Sequence, residues 1–90
     1  MSFEIKIKKK ALKFVSSLQK GEREKLGKAL PILKDDPIPV KTLDVAKLKG
    51  ERNLYRVRVG KIRVVYEVVW EGKVILIHRV DFRGKVYRGI

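Results

Sequence analysis

The chain is predicted to be α+β: an N-terminal strand, a helical hairpin, then an antiparallel three-stranded meander (β-α-α-β-β-β), with the helices covering one sheet face. Three observations lead there. Phe3, Ile5 and Ile7 alternate with Glu4, Lys6 and Lys8, the period-two signature of a half-buried strand. From Lys9 the apolar positions recur at three and four residues, the signature of a helix face. After Gly50 the apolar residues alternate again in three runs, roughly 54–59, 62–70 and 73–80, separated by turn signals at Gly60-Lys61 and Glu71-Gly72. Ninety residues make one domain, long enough to bury roughly 60–65% of the unfolded surface and too short for two cores.

Taken in order, strand one spans Phe3 to Ile7. The first helix carries Leu12, Phe14, Val15 and Leu18 on one face, and Gly21 is read as its stop. Glu22 and Glu24 favour the positive end of a second helix, whose stripe continues through Leu26, Ala29, Leu30 and Leu33. Pro31 is expected to kink or shorten that helix, because proline removes a hydrogen bond and clashes with the preceding turn. Asp35-Asp36-Pro37-Ile38-Pro39 ends it, and the segment to Leu48-Lys49-Gly50 reads as an irregular crossing. The three closing strands follow as a meander. There is no repeat, low-complexity tract or linker.

Composition narrows the function. The formal net charge is +13, from 23 Lys and Arg against 10 Asp and Glu, which suits a polyanionic partner such as nucleic acid. Seven of the eight arginines lie after residue 50. With no cysteine and one histidine, disulfides and thiolate metal sites are excluded, and no metal or other cofactor is expected. The N-terminus has no apolar signal region and no run reaches membrane-span length, so a cytoplasmic chain without membrane association is expected.

The arginines supply the candidate site. Alternation puts Arg56 and Arg58 on one face of their strand and Tyr55, Val57 and Val59 on the other. Across the Gly60-Lys61 turn, Arg63 lies opposite that pair if the hairpin register permits, and Arg83 can join from the C-terminal segment. A guanidinium cluster matches phosphate geometry. On an open, concave face it would hold a bent single strand, with Tyr87 beside Arg88 as a stacking platform.

Other polar and aromatic residues have simpler readings. His78 alternates with Ile77 and Arg79, shares a face with Leu76 and Val80, and has no carboxylate in sequence that must orient it, so a structural role is expected. Glu67, on the face of Arg63, and Asp81, near Arg83, read as ion-pair partners. Tyr55 and Tyr66 fall on the core side, and Trp70 reads as an edge-packing aromatic. Lys8-Lys9-Lys10 opposes the dipole of the helix it begins, which fits either an anionic surface or a solvated run.

Together, Lys47-Leu48-Lys49-Gly50, Leu54-Tyr55-Arg56-Val57-Arg58-Val59-Gly60, Ile62-Arg63-Val64-Val65-Tyr66-Glu67-Val68, Arg83 and Val86-Tyr87-Arg88 resemble the RelE/ParE toxin superfamily, in particular its archaeal RelE branch. The resemblance covers essentially the whole chain. It implies the toxin of a type II toxin-antitoxin system: a ribosome-dependent mRNA endonuclease that cuts in the decoding site without metal and is silenced by a RelB-like antitoxin in a hetero-oligomer. By position, Arg56, Arg58, Arg63, Arg83 and Tyr87 match the family's active-site set, with Lys47, Lys49, Arg52, Lys61, Lys85 and Arg88 as further RNA-binding residues.

In that chemistry a ribose 2′-hydroxyl attacks the adjacent phosphorus, leaving a cyclic phosphate and a free 5′-hydroxyl. The resemblance puts Arg56 and Arg63 on the scissile phosphate, Arg58 beside the attacking hydroxyl, Arg83 on the leaving side and Tyr87 against a codon base. Some bacterial relatives have lysines where this chain has Arg56 and Arg58, and arginine does not release its proton. The base is therefore open: electrostatics with ribosomal positioning, or Lys49 or Lys61. Two other readings compete: a ParE-like toxin that inhibits DNA gyrase by binding, and a nucleic-acid-binding module without cleavage.

Overall fold

A computed structural model describes residues 2–82. The order is β1 (Glu4–Ile7), α1 (Lys9–Ser16), α2 (Lys20–Asp35), β2 (Asp44–Lys47), β3 (Leu54–Val59), β4 (Ile62–Val69) and β5 (Val74–Phe82). The predicted α+β architecture is present, with two differences. The sheet has five strands in the order β1-β5-β4-β3-β2, and β1 runs parallel to β5 while every other pairing is antiparallel. The first and last strands point the same way because the helical hairpin carries the chain back before the meander begins.

The segment read as an irregular crossing contains β2, which pairs with β3 over four residues. Pairing with a neighbour fixes so short a strand, since two alternations are too few to announce it. The first helix stops at Ser16, before Gly21. The Ser16 and Ser17 hydroxyls donate to the carbonyls of Leu12 and Phe14, at 3.0 and 2.7 Å, and the chain tightens into short turns there. Gly21 lies in the first turn of α2. Pro31 does not end that helix, which continues to Asp35. Pro31 and Gly27 are both exposed, so water can satisfy the carbonyl that the proline leaves unpaired, while buried Leu26, Ala29 and Leu33 hold the helix to the sheet.

The core forms between the hairpin and one sheet face. Leu18, Leu26 and Leu33 meet Val57, Val64, Tyr66, Val68 and Ile77, all buried. Each such side chain contributes about 1.5–3 kcal/mol when fully removed from water. Tyr55 stacks on Tyr66 at 5.8 Å, Phe14 meets Phe82 edge-on at 5.1 Å, and Phe3 meets Trp70 edge-on at 5.7 Å. The tyrosines and Trp70 thus occupy the places alternation gave them. The buried Tyr66 hydroxyl donates to the Pro37 carbonyl at 2.7 Å, tying the segment after α2 to the sheet. No helix among the described residues is long and apolar enough to cross a membrane.

One irregularity decides what the other sheet face displays. Along β4 and β5, Val65 pairs with Arg79 but Tyr66 pairs with Ile77, so His78 is an extra residue in β5. Such a bulge shifts side-chain parity beyond it. Ile75 and Ile77 face the core before the bulge and Val80 after it. Asp81 is therefore turned onto the open face, and Val80 does not share a face with His78 as strict alternation required.

Candidate active site

The open face is built from alternate residues of β2 to β5. Register lines up Asp44, Arg58, Arg63 and Asp81 across four adjacent strands, and Ala46, Arg56, Val65 and Arg79 in the next row. Arg56, Arg58 and Arg63 are thus brought together, with the hairpin register that the sequence left conditional. Neighbouring strands lie about 4.8 Å apart, so a phosphate can reach more than one guanidinium.

Carboxylates orient the row from both ends. Arg56 Nη1 donates to Asp44 Oδ1 at 3.2 Å and to the Asp44 carbonyl at 3.4 Å, and Arg58 Nη1 lies 3.7 Å from Asp44 Oδ2. Arg63 meets Asp81 side-on, Nε to Oδ1 at 3.2 Å and Nη2 to Oδ2 at 3.1 Å, while Arg79 Nη2 donates to the same Oδ2 at 3.1 Å. Asp81, 9% exposed, is buried beneath the two guanidiniums. The two-point pairing fixes the plane of Arg63 and leaves its Nη1 edge for an oxyanion. Four guanidiniums against two carboxylates leave a surplus of two positive charges. The row is prearranged but not neutralised.

One ion-pair assignment changes accordingly, and another gains partners. Asp81 pairs with Arg63 and Arg79, and Glu67 pairs with His78, whose Nε2 is 2.9 Å from Glu67 Oε1, rather than with Arg63. His78 therefore does have a carboxylate partner. Sequence reasoning missed Asp44 because β2 was not legible, missed the reach of Asp81 because the bulge was not, and missed the Glu67 partner of His78 because the pair meets only across β4 and β5. Lys47, Lys49 and Arg52 line an open hollow in the β2–β3 loop, whereas Lys61 sits in the β3–β4 turn at the other end of β3. A six-residue strand separates them by about 20 Å, so these cations flank the arginine row rather than join it. Arg83, Lys85, Tyr87 and Arg88 lie outside the described residues. Among the described residues, no group of three or more His, Asp or Glu is placed to hold a metal ion.

This hairpin-backed sheet is that of a known class. Residues 5–87 match the family model described as the ParE toxin of type II toxin-antitoxin systems, parDE. The chain belongs to that family, within the RelE/ParE toxin superfamily. Its similarity to particular members runs to RelE: it is 36% identical to the RelE1 protein of Methanocaldococcus jannaschii over 98% of both chains. The archaeal RelE-RelB complex from Pyrococcus horikoshii OT3 superposes with a TM-score of 0.84 at 38% identity, covering 94% of this chain and 99% of that one. The isolated E. coli RelE toxin superposes with a TM-score of 0.79 at 26% identity, covering 98% and 94%.

Proposed function

We propose that this toxin is a ribosome-dependent mRNA endonuclease that cleaves in the decoding site by 2′-hydroxyl attack and stops translation. The supporting observation is the laterally held row of Arg56, Arg58 and Arg63 on a face that the helices leave open. Fixed guanidiniums stabilise the charge that develops on a phosphorane without reorganising. Arg56 and Arg63 hold the scissile phosphate, Arg58 serves the attacking side, Arg83 the leaving oxygen, and Tyr87 stacks on a codon base. Lys47, Lys49, Arg52, Lys61, Lys85 and Arg88 bind flanking RNA. The partners are the ribosome, mRNA and a cognate RelB-like antitoxin in a hetero-oligomer, by analogy with the RelE-RelB complexes among its structural neighbours.

A second reading follows from the matched family description: a ParE-like gyrase inhibitor acting by binding alone. The likeness to RelE proteins along the whole chain and the carboxylate-oriented arginines favour the nuclease. Arg58→Ala and Arg83→Ala are expected to abolish growth inhibition on induction while the variants still fold and still co-purify with the antitoxin. Persistent toxicity of both, with DNA gyrase inhibited in extracts, would favour the second reading.

A further inference from the structure

The open face carries one titratable pair that the arginine row does not use. His78 Nε2 and Glu67 Oε1 are 2.9 Å apart, and the imidazole is partly exposed, at 26% of its side-chain surface. We propose that His78, oriented by Glu67, is the general base that takes the 2′-hydroxyl proton, an assignment that rests on the endonuclease reading above.

Placement comes first. Val65 on β4 pairs with Arg79 on one flank and with Arg56 on the other, and His78 is the bulged residue next to Arg79. The backbones carrying His78 and Arg56 therefore lie about two strand spacings apart, about 10 Å, on either side of Val65. That gap fits a ribose and its 3′-phosphate, with the phosphate toward the arginines and the sugar hydroxyl toward the histidine.

Chemistry comes second. Arg56, Arg58, Arg63 and Arg79 cannot give up a proton to become bases. Asp44 and Asp81 are each paired with two arginines, which favour their ionised, weakly basic form. The charged groups around His78 are Glu67 on β4, Arg79 beside it on β5, Lys6 on the open side of β1, Lys8 just beyond β1, whose N–H donates to the Ile77 carbonyl, and Arg56 across Val65. Among these, imidazole is the type that exchanges protons near neutral pH. With Nε2–H donated to Glu67, the ring presents the Nδ1 lone pair, and the carboxylate stabilises the imidazolium that forms. The 2′-hydroxyl gives its proton to Nδ1 as the O2′–P bond forms and the P–O5′ bond breaks. The 5′-oxygen takes a proton from water and the imidazolium returns one to solvent, so the step balances.

The test is single-turnover cleavage of a defined message on programmed ribosomes, with wild-type protein, His78→Ala and His78→Gln, each with and without added imidazole. Both variants are expected to cleave about a hundredfold more slowly while binding ribosomes normally. Imidazole should restore His78→Ala in proportion to its unprotonated form and do nothing for Arg63→Ala. His78→Gln keeps an amide donor toward Glu67 and serves if the alanine variant unfolds. Wild-type rates in either folded variant, or a loss in His78→Ala that imidazole does not relieve, would overturn the assignment. A wild-type protein that leaves ribosome-bound message intact would overturn the endonuclease reading, and the base with it.

Discussion

Arg63→Ala is expected to slow message cleavage by about two to three orders of magnitude, the usual loss when one preorganised donor to a developing oxyanion is removed. Arg63 sits second in from the Asp81 end of the row, next to Arg58, with its plane set by two contacts to Asp81. Removing it leaves Asp81, nearly buried, with Arg79 alone, at a stability cost of about 1–3 kcal/mol. Activity and stability separate in the double variant. Asp81→Asn in the Arg63→Ala background removes the stranded charge and should recover much of the melting temperature, but none of the cleavage. Arg63→Lys keeps the charge without the two-point pairing and should stay well below wild type. Cleavage at the wild-type rate by folded Arg63→Ala would remove the arginine row from the chemistry.

Tyr66→Ala is expected to cost about 3–5 kcal/mol, a large part of the stability of a 90-residue domain. Tyr66 is fully buried, stacks on Tyr55 and donates to the Pro37 carbonyl 29 residues away. Tyr66→Phe keeps the ring and loses the hydrogen bond, for about 1 kcal/mol. Alkaline titration distinguishes the two contributions. Burial first, then the charges of Tyr55 and Asp36, raise the Tyr66 phenol far above its ordinary value of 10.0. Below that pH the phenol is neutral in both states and its contribution to stability is complete. Above it the unfolded chain releases the proton and the folded chain does not, so stability falls by about 1.4 kcal/mol per pH unit from this group. Urea melts between pH 8 and 11 should therefore show a steeper alkaline loss for the wild type than for Tyr66→Phe. Parallel curves would mean that the phenol ionises in the folded state as readily as in the unfolded one.

What was legible in the chain follows its periodicity. The runs at β3, β4 and β5 are long enough for alternation to assign faces, and with them the side on which Arg56, Arg58 and Arg63 stand. The turn at Gly60, with φ at +58°, then sets the register that places Arg58 opposite Arg63. β2 was not legible because four residues with two alternations resemble a loop. Pro31 leaves α2 its full length to Asp35 because its face is solvated, which propensity alone does not weigh. The carboxylate half of the site was hidden for a different reason. Asp44 and Asp81 meet their arginines across 12 and 18 residues, and Asp81 faces that way only through a bulge that no local pattern announces. Arg56, Arg58 and Arg63 share a face that alternation could show, while the groups that orient them depend on tertiary register.

The endonuclease account is tested most directly by in-vitro translation of a defined message on purified ribosomes, mapping new RNA ends by primer extension, with naked message in parallel. The expected result is cleavage within the decoding-site codon when ribosomes are present, none on naked message, and loss of the cuts with Arg58→Ala and Arg63→Ala. Intact message with translation unaffected would contradict it and move the weight to inhibition of DNA gyrase by binding.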